Sequence, residues 1–206
     1  VGDPNVDLIG IISSYGNTLI ETAAQNSLNL LHLLGANNVP VFIGESHSST
    51  TDHFDVMPIS QLIHGKNGIG EVVLETAPRH VETQSGVDFL IAAAHQYADD
   101  LIFIPTGPLT NLATAIKKDP AVATLIGNTT LMGGALTVPG NVTPFTEANI
   151  HQDPEDADYA FTRQKNLTMV GLDVTLRTLL TKKETAAWRA LNTTAATKFA
   201  ELMDFY

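Results

Sequence analysis

Asn141, Glu147 and Asn149 stand within nine positions of one another, and amide and carboxylate side chains are well suited to hydrogen-bond the hydroxyl groups of a small molecule. They lie in residues 133–152, a stretch with no structural periodicity. Loops of that length in compact domains usually have a function. The apolar segment Thr129–Met132 before it suits a buried parallel strand. After it, Asp153-Pro154-Glu155-Asp156 reads as a helix start, with an N-capping acid, proline at the first helical position and carboxylates in the first turn. The stretch therefore leaves a strand at its carboxyl end, where open α/β sheets bind ligands, and it reads as one wall of a small-molecule pocket.

Other chemistries lack their residues. The chain has no cysteine, which removes disulfides, a thiolate nucleophile and Cys-ligated zinc. His64-Gly65-Lys66-Asn67-Gly68-Ile69-Gly70 does not make the dinucleotide fingerprint, and the phosphate-loop, zinc-protease and nucleophile-elbow motifs are absent. The run Asp153, Glu155, Asp156, Asp158 lacks the spacing and glycine of a calcium-binding helix–loop–helix, and reads as a capped, solvated helix start. His47 and His53 lack companions and read as solvent-facing. A formal charge of -11 with scattered cations disfavours nucleic acid. No apolar run is long enough to span a membrane. Asn-x-Ser/Thr sequons at Asn128, Asn141, Asn166 and Asn192 would matter only in a secreted eukaryotic protein.

The elements that must hold this wall alternate along 206 residues, enough for one sizeable α/β domain. Val6 to Tyr15 opens with a β-branched run of the kind buried on both faces. Thr18-x-x-Glu21 then reads as a capping box for a helix closed at Gly35. Strands are expected at Val41–Ile43, Leu101–Ile104 and Leu167–Gly171. Helices are expected from Val87 to Tyr97, from Pro108 to Lys118, and in the tail from Lys182 to Tyr206, where Trp188, Leu191, Phe199 and Leu202 are available to pack. Residues 44–83 read as a lid or an excursion from the sheet. The whole predicts a mostly parallel central sheet flanked by helices. Val1-Gly2-Asp3-Pro4 reads as a turn following a helix, and the last residues stop inside an apolar helical pattern, so an incomplete domain is expected.

Taken in order, Gly10-Ile11-Ile12 with Tyr15-Gly16-Asn17, His64-Gly65 with Gly68-Ile69-Gly70, Pro105-Thr106-Gly107-Pro108-Leu109-Thr110-Asn111-Leu112-Ala113, Leu131-Met132-Gly133-Gly134, Gly140-Asn141-Val142-Thr143-Pro144, Glu147-Ala148-Asn149-Ile150, Asp153-Pro154-Glu155 and Val170-Gly171-Leu172-Asp173-Val174-Thr175 resemble the inosine-uridine-preferring nucleoside hydrolases. The match covers nearly the whole chain. The family's opening aspartate-rich strand and loop and its late His-Asp motif fall outside residues 1–206, so the resemblance implies part of a Rossmann-like nucleoside hydrolase domain.

The resemblance implies hydrolysis of the N-glycosidic bond of ribonucleosides, purine or pyrimidine, with Ca2+ as cofactor, in a cytoplasmic homo-oligomer (dimer or tetramer). Carried over by position, Thr106 would offer its backbone carbonyl to calcium. Asn141, Glu147 and Asn149 would grip ribose hydroxyls, Asn17 would sit beside ribose and metal, and Met132 would line the sugar or base site. His64 matches a family histidine near the pocket. The general base and most metal ligands are expected outside this chain, which alone should be inactive. Ala148 stands where many relatives carry an aromatic residue, which bears on packing beside the sugar and on base preference. Bland roles stay open: Asn17 could shape a helix entry, Met132 fill the core and Asn141 occupy a turn. A non-catalytic fragment that keeps only a ribose-binding wall or an interaction surface is the alternative.

Overall fold

The computed structural model describes residues 2–206. Strands β1 (Ile11–Ser13), β2 (Val41–Ile43), β3 (Ile102–Phe103), β4 (Asn128–Met132) and β5 (Leu167–Val170) alternate with helices α1 (Ile20–Leu33), α2 (Pro58–His64), α3 (Gly86–Tyr97), α4 (Thr110–Lys118), α5 (Val122–Leu125), α6 (Ala148–Gln152), α7 (Pro154–Arg163), α8 (Leu172–Thr175), α9 (Lys182–Arg189) and α10 (Thr194–Phe205). All strand pairs are parallel. Among the described residues the strands form two groups, β1-β2 and β3-β4-β5. The expected α/β architecture is present, with shorter strands than the apolar runs suggested.

Side chains alternate across a strand, and β1 uses both faces. Ile12 packs on a core of Leu90, Leu112, Ile116, Ile126 and Leu131, whereas Ile11 packs on a second cluster of Leu28, Leu31 and Val41. Phe42 and Phe89 stack between β2 and α3, with ring centroids 4.0 Å apart.

Helix ends divide between local and tertiary control. Gly35, at φ +69°, closes α1 as read: its N–H bonds the His32 carbonyl and the Ala36 N–H bonds the Leu31 carbonyl, the paired pattern that left-handed glycine permits. The Thr18 capping box does not form. Leu19 is the N-cap, with no side-chain bond, while Thr18 lies under Gly68, close enough that a Cβ on that glycine would sit 3.1 Å from Thr18 Cβ and Cγ2. Tertiary packing takes the threonine away from the helix end. α4 starts at Thr110, two residues after Pro108. The tail forms two helices, α9 and α10, with Leu191 65% exposed between them instead of packed.

Residues 44–83 leave the sheet and hold one helix, α2. At the start of the chain, the Asp3 carbonyl accepts from Val6 N and its carboxylate from Asn5 N, a local turn; Val1 lies outside the described residues. No helix among them is long and apolar enough to cross a membrane.

Candidate functional site

Parallel strands deliver their following loops to one end of a sheet, and here the loops after β1, β3 and β4 meet. A Cβ on Gly16 would sit 3.4 Å from Pro108 Cδ, and one on Gly107 would sit 3.7 Å from Ser14, so the turn carrying Asn17 lies against the turn carrying Thr106. Asn17 itself is exposed.

The long stretch after β4 is more ordered than its sequence suggests, because its last residues form α6. Glu147 is the N-cap of that helix, and its Oε2 accepts from Ile150 N at 3.2 Å and Gly134 N at 2.9 Å. Oε1 makes no hydrogen bond among the described residues. The Asn141 Oδ1 accepts from Ala148 N at 2.9 Å, leaving its NH2 group available. In Asn149, Nδ2 donates to the Met132 carbonyl at 2.9 Å and to the Thr106 carbonyl at 3.3 Å, and lies 3.3 Å from Met132 Sδ. Two carbonyl acceptors fix the amide orientation, since the opposite flip would face oxygen with oxygen. Thr106, Met132 and Asn149 thus come together, with Asn141 and Glu147 on the same helix entry.

His64 closes α2 and sits apart from that triad. Its turn reaches the β1 loop through the Gly68–Thr18 approach, and its Nδ1 is 2.7 Å from the Tyr206 hydroxyl. Burial lowers the His64 pKa below the ordinary imidazole value and raises that of the Tyr206 phenol.

The acidic run is where the sequence reading needs correction. Glu155 and Asp158 are solvated, but Asp153 and Asp156 are buried. Asp153 caps α7 through Asp156 N at 3.1 Å and also accepts from Thr110 Oγ1 at 2.8 Å, Ser49 N at 3.0 Å and Ser49 Oγ at 3.4 Å. Asp156 pairs with Lys117. Tyr15 adds its hydroxyl to Thr110 Oγ1 at 2.9 Å, and burial pushes its phenol pKa upward. Tyr15 and Thr110 stood in the sequence motifs without a role of their own, each within four residues of a candidate site position. Of the two histidines read as solvent-facing, His53 is exposed and pairs with Asp55, whereas His47 is half-buried with its Nδ1 2.9 Å from the Ser48 carbonyl.

Two hollows flank the fold, one beside this cluster and one away from it. One of about 330 Å3 is bounded by Tyr15, Ser48, His53, Phe54 and Gln152, while another of about 350 Å3 lies between α1 and α10. Neither is lined by any of the candidate residues, and the convergence of Asn149, Thr106 and Met132 is the better guide to chemistry. Calcium takes 6 to 8 oxygens, yet no three His, Asp or Glu side chains converge among the described residues.

The model of the family described as inosine-uridine preferring nucleoside hydrolase matches residues 1–206. The chain is 32% identical over 206 residues to the probable uridine nucleosidase 2 of Arabidopsis thaliana, covering 100% of this chain and 63% of that one. It is 34% identical over 202 residues to the pyrimidine-specific ribonucleoside hydrolase RihB of Shigella flexneri, covering 98% and 63%. Its fold matches that of a purine-preferring ribonucleoside hydrolase from Gardnerella vaginalis with a TM-score of 0.98 and 52% identity, over 100% of this chain and 65% of the other. The chain therefore spans under two thirds of the length of these relatives.

Proposed function

The chain belongs to the inosine-uridine preferring nucleoside hydrolase family, and from that premise we propose that the protein containing residues 1–206 hydrolyses the N-glycosidic bond of ribonucleosides, giving ribose and free base. The observation that carries the proposal is the meeting of Asn149 with the Thr106 and Met132 carbonyls beside Glu147 and Asn141. A ribosyl group losing its base develops oxocarbenium character, so contacts to its hydroxyls that tighten as charge develops accelerate the reaction.

In this reading, the hydrogen bonds within the fold leave particular atoms for such contacts. Asn149 spends its NH2 on carbonyls and offers Oδ1 as an acceptor. Glu147 spends Oε2 on backbone N–H groups and offers Oε1 as a second acceptor. Asn141 spends Oδ1 and offers its NH2 as a donor. Two acceptors and a donor suit vicinal hydroxyls, each of which both donates and accepts. Asn17 and Met132 complete the wall in this reading, with His64 proposed near the pocket.

Calcium is the cofactor proposed for the whole protein, supplying Lewis-acid polarisation when bound. Thr106 would contribute its carbonyl, with the carboxylate ligands coming from outside residues 1–206. The proposal extends to a cytoplasmic homo-oligomer. Incubating the full-length protein with inosine and with uridine, and measuring reducing sugar, tests the activity. Release of ribose with equimolar base is expected, and no release from either nucleoside or from their purine and pyrimidine analogues would refute it.

A further inference from the structure

A hydroxyl has a single proton, and this orders the buried chain behind the candidate wall. Thr110 donates its proton to Asp153 Oδ2 at 2.8 Å, so its oxygen must accept from the Tyr15 hydroxyl at 2.9 Å. Desolvation raises the Tyr15 pKa, keeping that phenol a donor. The Asp153 carboxylate, fully buried, receives four donors: Thr110 Oγ1, Ser49 N, Ser49 Oγ and Asp156 N. Its side chain therefore has no capacity left for solvent or ligand.

The residues in this chain stand close in sequence to the proposed ribose and metal contacts. Tyr15 is two positions before Asn17, Thr110 four after Thr106, and Asp153 four after Asn149. We propose that Tyr15, Thr110 and Asp153 are positioning residues that set the relative placement of Asn17, the Thr106 carbonyl and Asn149 through one directed hydrogen-bond chain. Ser49 ties the excursion after β2 to the same carboxylate. The three loops come from different strands, and no direct side-chain bond joins Asn17 to Asn149, so their registry depends on what lies behind them. A fully satisfied buried network rigidifies its surroundings, and losing a member leaves a buried polar group unpaired, while catalytic contacts tolerate little displacement.

The inference rests on the proposed hydrolase reading, and its test has one arm that does not. In the full-length protein, Thr110→Val removes both hydroxyl bonds at nearly constant volume, Thr110→Ser keeps the hydroxyl, and Tyr15→Phe removes only the outer link. At a temperature where circular dichroism shows each variant folded, Thr110→Val should lower kcat/KM about 10- to 100-fold for inosine and uridine alike. Thr110→Ser should stay within about threefold of wild type, and Tyr15→Phe should fall between them. The second arm follows the Asn149 side-chain amide resonances, which should shift in Thr110→Val and return in Thr110→Ser whether or not nucleosides are turned over. An inactive wild type would defeat the hydrolase reading and leave this arm to decide. Unmoved Asn149 resonances in Thr110→Val, or a Thr110→Ser variant as impaired as Thr110→Val, would overturn the positioning role; should Thr110→Val not fold, unchanged kcat/KM and resonances in Tyr15→Phe would overturn it equally.

Discussion

Exchanging Asn149 for aspartate should do more damage than exchanging it for alanine, although aspartate is the closer shape. In the native arrangement Nδ2 faces the Met132 carbonyl at 2.9 Å and the Thr106 carbonyl at 3.3 Å. Asn149→Ala forfeits those two bonds, at roughly 0.5–1.5 kcal/mol net for each, and it also removes the Oδ1 acceptor proposed for ribose. In catalysis the loss should be about 1–3 kcal/mol, roughly 5- to 150-fold in kcat/KM, and the same for every base because the sugar is shared. Asn149→Asp instead sets a carboxylate oxygen against two carbonyl oxygens, so repulsion adds to the lost bonds. The crowded carboxyl should bind its proton at higher pH than usual, and once neutral it can donate a single bond. Its deficit should therefore shrink as pH falls, whereas that of Asn149→Ala should not. Melting temperatures in chelator and kcat/KM between pH 5 and 8 give the comparison. An Asn149→Asp protein as stable and active as wild type at pH 8 would refute the orientation assigned to this amide.

The Thr106 carbonyl is a main-chain atom, so Thr106→Val should hold calcium affinity of the full-length protein within a few-fold, while Thr106→Gly should weaken it by loosening the strand-to-helix turn; isothermal titration separates these, and loss of binding in a folded Thr106→Val would implicate the hydroxyl. Residues 1–206 expressed alone should release no reducing sugar from inosine or uridine even with calcium, if the general base and most metal ligands lie outside them as the family resemblance implies; turnover above a no-enzyme control would contradict this. Hydrogen bonding from Thr185, with Arg189 and Lys182 nearby, lowers the Asp204 pKa from 3.8 to about 2. A depressed carboxyl stabilises the fold above its unfolded pKa and loses that effect as pH falls through its folded one, so α9 and α10 should loosen between about pH 4 and 2. Trp188, the single tryptophan of the 206 residues, should report this in fluorescence, and Asp204→Asn should abolish the step; an unchanged transition in that variant would assign it elsewhere.

Features decided by neighbouring residues were legible in the sequence. Gly35 had to be left-handed after an apolar helix, and Asp153-Pro154 had to begin one; both are observed. The five parallel strands follow from short β-branched runs, although Val6–Tyr15 shrinks to Ile11–Ser13 because an apolar run shows only what can be buried, not where a partner strand ends. What escaped depends on partners distant in the chain. Asp153 looks solvated beside Glu155 and Asp158, yet it meets Thr110 from 43 residues away and Ser49 from 104, and Tyr15 reaches Thr110 across 95. Nothing local distinguishes such a carboxylate from an ordinary helix cap. Glu147 is a mixed case: its place beside Asn149 was visible, but its use of one oxygen as a cap depended on α6 forming inside an aperiodic stretch.

The central claim is most directly tested by incubating the full-length protein with inosine and with uridine in calcium, then in excess chelator, and quantifying ribose and free base together. The account predicts equimolar ribose and base from at least one of the two nucleosides in calcium, and a large fall in rate on chelation. A folded full-length protein that leaves both nucleosides intact in calcium, or cleaves them equally fast in chelator, would contradict it.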